Sequence, residues 1–162
     1  MSQQLNDLQL NTLLCFNTYA LDRAFGRYYQ AAFGDTGFTY PKFVILMALR
    51  DAGPLTVGEL SSRIGVETNS ISPVLKRMAD FKVISRERSK EDERRVVLSI
   101  APLGEELLNE ASKVVEKTWA TLGVDPDAVQ QAAGLLNEVR QKIDAADPPK
   151  MTFRVPPPGK TS

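Results

Sequence analysis

Between Pro54 and Ile100 the chain reads "PLTVGELSSRIGVETNSISPVLKRMADFKVISRERSKEDERRVVLSI", and the order of signals in this stretch leaves few folds open. Thr56 followed by Glu59 three residues on is a capping-box pattern; the helix it opens, "VGELSSRIG", stops at Gly65. The spacing predicts a second helix over about 67–81, with Ile71, Val74, Leu75 and Met78 recurring at intervals of three and four. Two short helices joined by a tight turn at Gly65-Val66 read as a helix-turn-helix. The chain then alternates in strand fashion, Val83, Ser85 and Glu87 against Ile84, Arg86 and Arg88, and resumes over 96–100 beyond a charged "SKEDER" tip. A β-hairpin appended to a helix-turn-helix is a wing.

The flanks are helical. Apolar residues recur at helical spacing over about 8–33, and Pro41 sits where a first-turn proline is tolerated, ahead of "KFVILMALRDAG". Helices are expected again over about 102–122 and 126–146, followed by a proline-rich tail without periodicity. The fold class is mainly α with a small β-wing: a winged helix-turn-helix with N- and C-terminal dimerisation helices. By region, 1–40 and 101–147 are expected to form the helical dimerisation part, 41–100 the DNA-binding part and 148–162 a flexible tail. The outer helices need a partner for their apolar faces, and a second copy of the chain is the economical choice.

Composition closes off other classes. None of the 162 residues is histidine and one is cysteine, which excludes a histidine-based triad, an intramolecular disulfide and a structural zinc site of ordinary type. No metal or cofactor is expected, and no enzyme activity. "MSQQLNDLQL" has no signal-peptide pattern and no run approaches membrane-span length, so a cytoplasmic protein with no membrane partner is expected. Net charge is zero but unevenly placed. Residues 63–95 hold nine Lys/Arg against six Asp/Glu, a balance of +3, and 101–147 hold four against nine, a balance of −5. A basic middle suits a polyanion.

A helix that reads base edges presents small polar and amide side chains in its N-terminal half and cations for phosphates. Thr68, Asn69, Ser70 and Ser72 meet the first requirement; Lys76 and Arg77 meet the second. In the hairpin, Arg86, Arg88, Lys90, Arg94 and Arg95 lie on the strands or beside the tip, where an arginine suits a narrow minor groove. Asp92, two residues before Arg94, is placed to orient that guanidinium.

This whole stretch, through Gly104, resembles the MarR family of bacterial transcription regulators, the signature being Asp92-x-Arg94 with a strand and a glycine after it. Ala101 stands where the family usually has a helix-capping threonine. The resemblance implies a homodimer that grips a pseudo-palindromic double-stranded DNA operator, each recognition helix in a major groove and each wing in a minor one.

Within the family, "LCFNTYALDR" with "YY" and "TYP" after it is similar to the OhrR-type repressors, which sense organic hydroperoxides. That resemblance makes Cys15 the redox sensor, with Tyr29 and Tyr40 as phenolic partners and Tyr19 a further aromatic of the pocket. Helix geometry adds a constraint. Tyr19 lies ~40° round from Cys15 and shares its face, whereas Tyr29 is ~21 Å further along the axis. Tyr29 can reach a sulfur only across a dimer with antiparallel first helices. A thiolate is required, against an ordinary cysteine pKa near ~8.5, and without histidine the phenol donors are the expected stabilisers, with Arg23 or helix ends as further aids. Phe16, Phe25 and Phe33 would favour an organic peroxide. With no second cysteine, a small-molecule thiol must complete the reaction, or the sulfur over-oxidises. The bland alternative for Cys15 is inert core packing. The functional alternative is a MarR-type repressor released by a small aromatic or phenolic ligand. A peroxidatic enzyme and a DNA-free interaction module are the remaining readings.

Overall fold

The computed structural model describes residues 9–88, 92 and 95–150 of the chain. A 3-10 turn, Leu10–Thr12, precedes helix α1, Leu14–Phe33. The first helix therefore begins later than the apolar spacing suggests. Leu13 is extended (φ −78°, ψ 118°), and the Asn17 side-chain amide donates to the carbonyls of Asn11 and Leu13, 2.9 Å each, binding the turn to the helix. The consequence is that Cys15 lies in the first turn of α1.

Helix α2, Tyr40–Ala52, starts from extended Thr39 with Pro41 in its first turn and stops at Gly53, whose φ of 76° suits a residue without Cβ. Leu55–Thr56 form a short strand β1, and α3, Val57–Ile64, comes next. Helix α4, Thr68–Asp80, ends in a left-handed Lys82 (φ 57°), where the Val83 N–H reaches back to the Met78 carbonyl at 2.8 Å. Strands β2, Ile84–Arg88, and β3, Val96–Ile100, make the wing. Strand β3 is central: it pairs antiparallel with β2, Arg86 opposite Leu98, and with β1, Leu55 opposite Leu98. A two-residue strand has no alternation to read, so β1 was invisible in the sequence.

Helix α5, Pro102–Leu122, begins without a capping threonine, and the backbone supplies what the side chain does not. The Ala101 N–H donates to the Val83 carbonyl at 3.1 Å, and its carbonyl accepts from the Glu105 N–H at 3.1 Å. Gly104 makes that close approach possible, because a Cβ there would lie 2.1 Å from the Val83 oxygen. One leucine from each of α2, α3, α4, β3 and α5, namely Leu46, Leu60, Leu75, Leu98 and Leu108, is at most 1% exposed, so these five elements share one centre.

The chain divides after Thr118 into two units. In the second, Asp125 caps helix α6, Pro126–Asp144, by accepting from the Asp127 N–H at 3.3 Å. No residue of α6 is buried, and Leu135 and Ile143 are exposed. The tail expected to be mobile lies, from residue 151 onward, outside the described residues. No helix among the described residues is long and apolar enough to cross a membrane.

Candidate nucleic-acid interface and thiol helix

The helix-turn-helix is fastened by its own polar groups. The Thr56 N–H donates to Glu59 Oε2 at 2.7 Å and the Glu59 N–H donates back to Thr56 Oγ1 at 3.3 Å, closing the capping box. The Thr56 hydroxyl, which also donates to Glu59 Oε2 at 2.7 Å, and the Thr56 N–H hold the Glu59 carboxyl below the usual glutamate range, with a smaller contribution from the Arg95 guanidinium beside the wing tip. Gly65, at φ 71°, ends α3 in the left-handed conformation, and the Val66 N–H reaches the Ser61 carbonyl at 3.0 Å. Across the turn the Thr68 hydroxyl donates to that of Ser61, itself buried, at 3.4 Å. This tie is a strut between α3 and α4 that sequence spacing did not disclose.

Helix α4 then has two faces. Ile71, Leu75 and Met78 are buried, at intervals of four and three, while Thr68, Asn69, Ser70, Ser72, Lys76 and Arg77 are all exposed. The outward set is the one expected from the sequence, with two refinements. Thr68 spends its hydroxyl proton on Ser61, and Ser72 donates its own to the Thr68 carbonyl at 2.7 Å, so both offer acceptor lone pairs outward. Pro73 lies inside the helix and brings no N–H to the Asn69 carbonyl.

In the wing, Arg86, Arg88, Asp92 and Arg95 are exposed, and the Arg95 N–H donates to the Asp92 carbonyl at 2.9 Å. Lys90 and Arg94 lie outside the described residues, and with them the expected Asp92–Arg94 pair.

The thiol helix is arranged differently. Cys15 is exposed, and so is Tyr19, 60% of whose surface is open. The Arg23 guanidinium sits over the Tyr19 ring, 5.6 Å from its centroid. At the far end of α1, Tyr29 is 2% exposed and stacks on Tyr40, the ring centroids 4.5 Å apart and the planes 12° from parallel. Tyr28, Phe25 and Phe33 complete an aromatic cluster around Tyr29 at 5.5, 6.1 and 5.7 Å. Phe33 belongs to the core of the same chain, and Phe25 packs against it, so neither lies at the Cys15 end of the helix.

Two side chains that the sequence did not single out bear on the phenols. Thr118 of α5, 1% exposed, is hydrogen-bonded to Tyr29. Burial pushes the Tyr29 phenol up, and that hydrogen bond works in the opposite direction. Asp22 lies near Tyr40, whose phenol is raised first by burial, then by Tyr29 and by the Asp22 carboxylate. A threonine late in a long helix carries no sequence signal for such a contact. Among the described residues no group of three or more His, Cys, Asp or Glu is placed to hold a metal ion.

Comparison with known proteins extends the picture. The MarR family model matches residues 38–96. The chain is 33% identical over 145 residues to the HTH-type transcriptional regulator MgrA of Staphylococcus aureus, covering 89% of this chain and 97% of that protein. It is 32% identical over 124 residues to the organic hydroperoxide resistance transcriptional regulator of Bacillus subtilis (strain 168), covering 76% and 82%. Reduced AbfR bound to DNA, from Staphylococcus epidermidis, has the same fold, with a TM-score of 0.70 at 21% identity over 89% of this chain and 99% of that one. With the winged helix-turn-helix in place, a family match that covers it as far as the start of β3 and relatives above 30% identity along most of the chain, the chain belongs to the MarR family of transcriptional regulators, a family of regulators and not of enzymes.

Proposed function

We propose that the protein is a homodimeric repressor that binds a pseudo-palindromic operator and releases it when an organic hydroperoxide oxidises Cys15. For the DNA partner, the support is the exposed polar and basic face of α4 beside the wing arginines, on the fold that AbfR has in its DNA-bound form. The observation that carries the sensing half is the placement of one exposed thiol and one stacked phenol pair at opposite ends of α1. Fourteen residues of helix separate Cys15 from Tyr29, ~21 Å at ~1.5 Å per residue. A pocket holding both must therefore come from two copies with antiparallel first helices. Leu10, Leu14 and Leu21 are 60, 48 and 46% exposed, leaving apolar surface at the Cys15 end for such a partner to cover. The dimerisation region is then 1–40 with 101–147, and the DNA-binding region 41–100. The similarity to the Bacillus subtilis regulator supports the hydroperoxide as the signal.

In the proposed reaction the Cys15 thiolate attacks the terminal oxygen of the hydroperoxide. The S–O bond forms, the O–O bond breaks, and the alkoxide leaves as the alcohol after taking a proton. Sulfur is oxidised by two electrons and the peroxide reduced by two. A small-molecule thiol then condenses with the sulfenic acid, forming a mixed disulfide and releasing water. With the thiol and the phenols on different copies, these steps change the dimer and, through it, the spacing of the two α4 helices.

A gel shift on DNA from upstream of the protein's own gene tests this. Cumene hydroperoxide is expected to release the wild type and to leave Cys15→Ser bound; release of both would sink redox sensing. One observation favours a second reading. A cavity of about 250 Å³ is lined by Tyr40, Pro41, Val44, Ile64, Val66 and Val74, close against α4. A small aromatic or phenolic ligand there would bias the recognition helix without thiol chemistry, and would release Cys15→Ser as readily as the wild type.

A further inference from the structure

In the reading half of α4, the residue that points most directly away from the core is a proline. Ile71, Leu75 and Met78 are buried and fix the inward direction. At ~100° per residue, Pro73 lies ~15° from the opposite direction and Asn69 ~30° from it. Both are exposed. Asp80 falls on the same line, but it is the last residue of the helix, far from the half that faces base edges.

Stability does not account for a proline there. Position 73 is the sixth residue of α4, beyond the first turn where the ring is tolerated, and it brings no N–H to the Asn69 carbonyl. Proline is the least favourable residue in a helix interior, and an exposed ring gains little by packing. The ring also differs in kind from its neighbours. Thr68, Asn69, Ser70, Ser72, Lys76 and Arg77 all carry hydrogen-bonding groups, whereas the proline side chain has neither donor nor acceptor. Against a major-groove edge such a ring has one compatible partner. Every base presents donors or acceptors there, and an apolar ring pressed on them strips their water without replacing it. The C5-methyl group of thymine is the one apolar feature of that edge.

We infer that Pro73 sets a thymine requirement in the DNA site: its ring packs on the C5-methyl of one thymine in each half-site, one helical turn from the base that the Asn69 amide reads. Four residues of helix separate the two side chains, ~6 Å at ~1.5 Å per residue, which places the thymine within about two base pairs of that base. Pro73 is a specificity residue; the phosphate contacts stay with the cations of α4 and the wing. This role rests on the reading of α4 as the DNA-reading helix, and its test separates the two claims.

Full-length wild type and Pro73→Ser are each used, at fixed ionic strength, to select duplexes from a pool with a random core two helical turns long. The wild type is expected to enrich a core with a thymine fixed in each half-site, and Pro73→Ser a core otherwise alike that has lost that thymine. Replacing it with deoxyuridine, which lacks only the methyl group, is expected to weaken wild-type binding about fourfold per half-site, the worth of one buried methyl-sized group, and to leave Pro73→Ser unaffected. The slope of affinity against salt should be the same for both proteins, because no phosphate contact is lost; a shallower slope for Pro73→Ser would make Pro73 a phosphate-positioning residue instead. The thermal midpoint of Pro73→Ser should rise, since serine returns the N–H to the helix, and a fall would mean that the ring packs within the protein. Either result overturns the assignment, as does a wild-type core with no fixed thymine, or equal sensitivity to deoxyuridine in both proteins. If the wild type enriches no core at all, the reading of the chain as a sequence-specific DNA binder falls, and this role with it.

Discussion

The helix-turn-helix and the first helix use the same kinds of side chain to opposite ends. From Leu55 to Ile100 the polar groups that shape the backbone find partners a few residues away: Thr56 with Glu59, Thr68 with Ser61, the Val66 amide with the Ser61 carbonyl. Most of the apolar residues meet inside one core, with Val66 and Phe81 left at its surface. Helix α1 closes only at its C-terminal end, around Tyr29 and Phe33, and leaves Leu14, Cys15, Tyr19 and Leu21 in the open. Burying a leucine is worth about 1.5–3 kcal/mol, so a region that leaves several exposed is unfinished as a single chain. The region proposed to read DNA is complete by itself; the region proposed to sense needs another surface.

The strongest test of that self-sufficiency is Gly104→Ala. The new Cβ would lie 2.1 Å from the Val83 oxygen and 2.8 Å from Ile100 Cγ2, and the Val83 carbonyl cannot retreat without losing the Ala101 amide. A loss of about 3 kcal/mol in urea unfolding is expected. An unchanged midpoint would mean that α5 and the wing are not locked together at this point.

A smaller effect is expected at the open end of α1. Leu21→Glu places a charge on the surface proposed to meet its copy, and costs roughly 2 kcal/mol per copy in lost apolar burial. Sedimentation should show dissociation at concentrations where the wild type is dimeric, with far-UV circular dichroism unchanged. A Leu21→Glu variant that remains a dimer would place the interface elsewhere and break the contrast between the two regions.

How much of the molecule was legible in its sequence divides along the same line. The capping box, the stop at Gly65, the buried triplet Ile71, Leu75 and Met78 and the wing strands are all local patterns, and each lies where its spacing puts it. The misses are non-local or too short to have a period. Strand β1 is two residues held by pairing with β3. The start of α1 at Leu14 depends on Asn17 reaching back to Asn11. Thr118 meets Tyr29 from across 89 residues of chain, a contact that no helical spacing encodes. Cys15 was legible as a lone thiol on a helix; what surrounds it in a second copy is a property of an assembly, and the pattern of one chain reaches it only through resemblance.

The smallest expected effects come from pH, and they fall at opposite ends of the scale in the two regions. The Glu59 carboxyl is held low by hydrogen bonds from Thr56, so its folded pKa lies below the unfolded one. The folded state then binds fewer protons; this stabilisation is present above the unfolded glutamate value and lost as pH falls through the folded one. Tyr29 and Tyr40 have the reverse sign. Burial raises both phenols above the ordinary tyrosine value, so the unfolded chain ionises first. Their contribution is complete below about pH 10 and lost as pH rises through the folded values. Urea midpoints measured at mildly acidic, neutral and strongly alkaline pH should therefore separate two variants. Thr56→Ala is expected to flatten the acid side alone, and Tyr40→Phe the alkaline side alone. If Tyr40→Phe keeps the full wild-type drop in alkali, the Tyr40 phenol is ionising freely, and the exposed edge of the stack is wetter than the Tyr29–Tyr40 geometry implies.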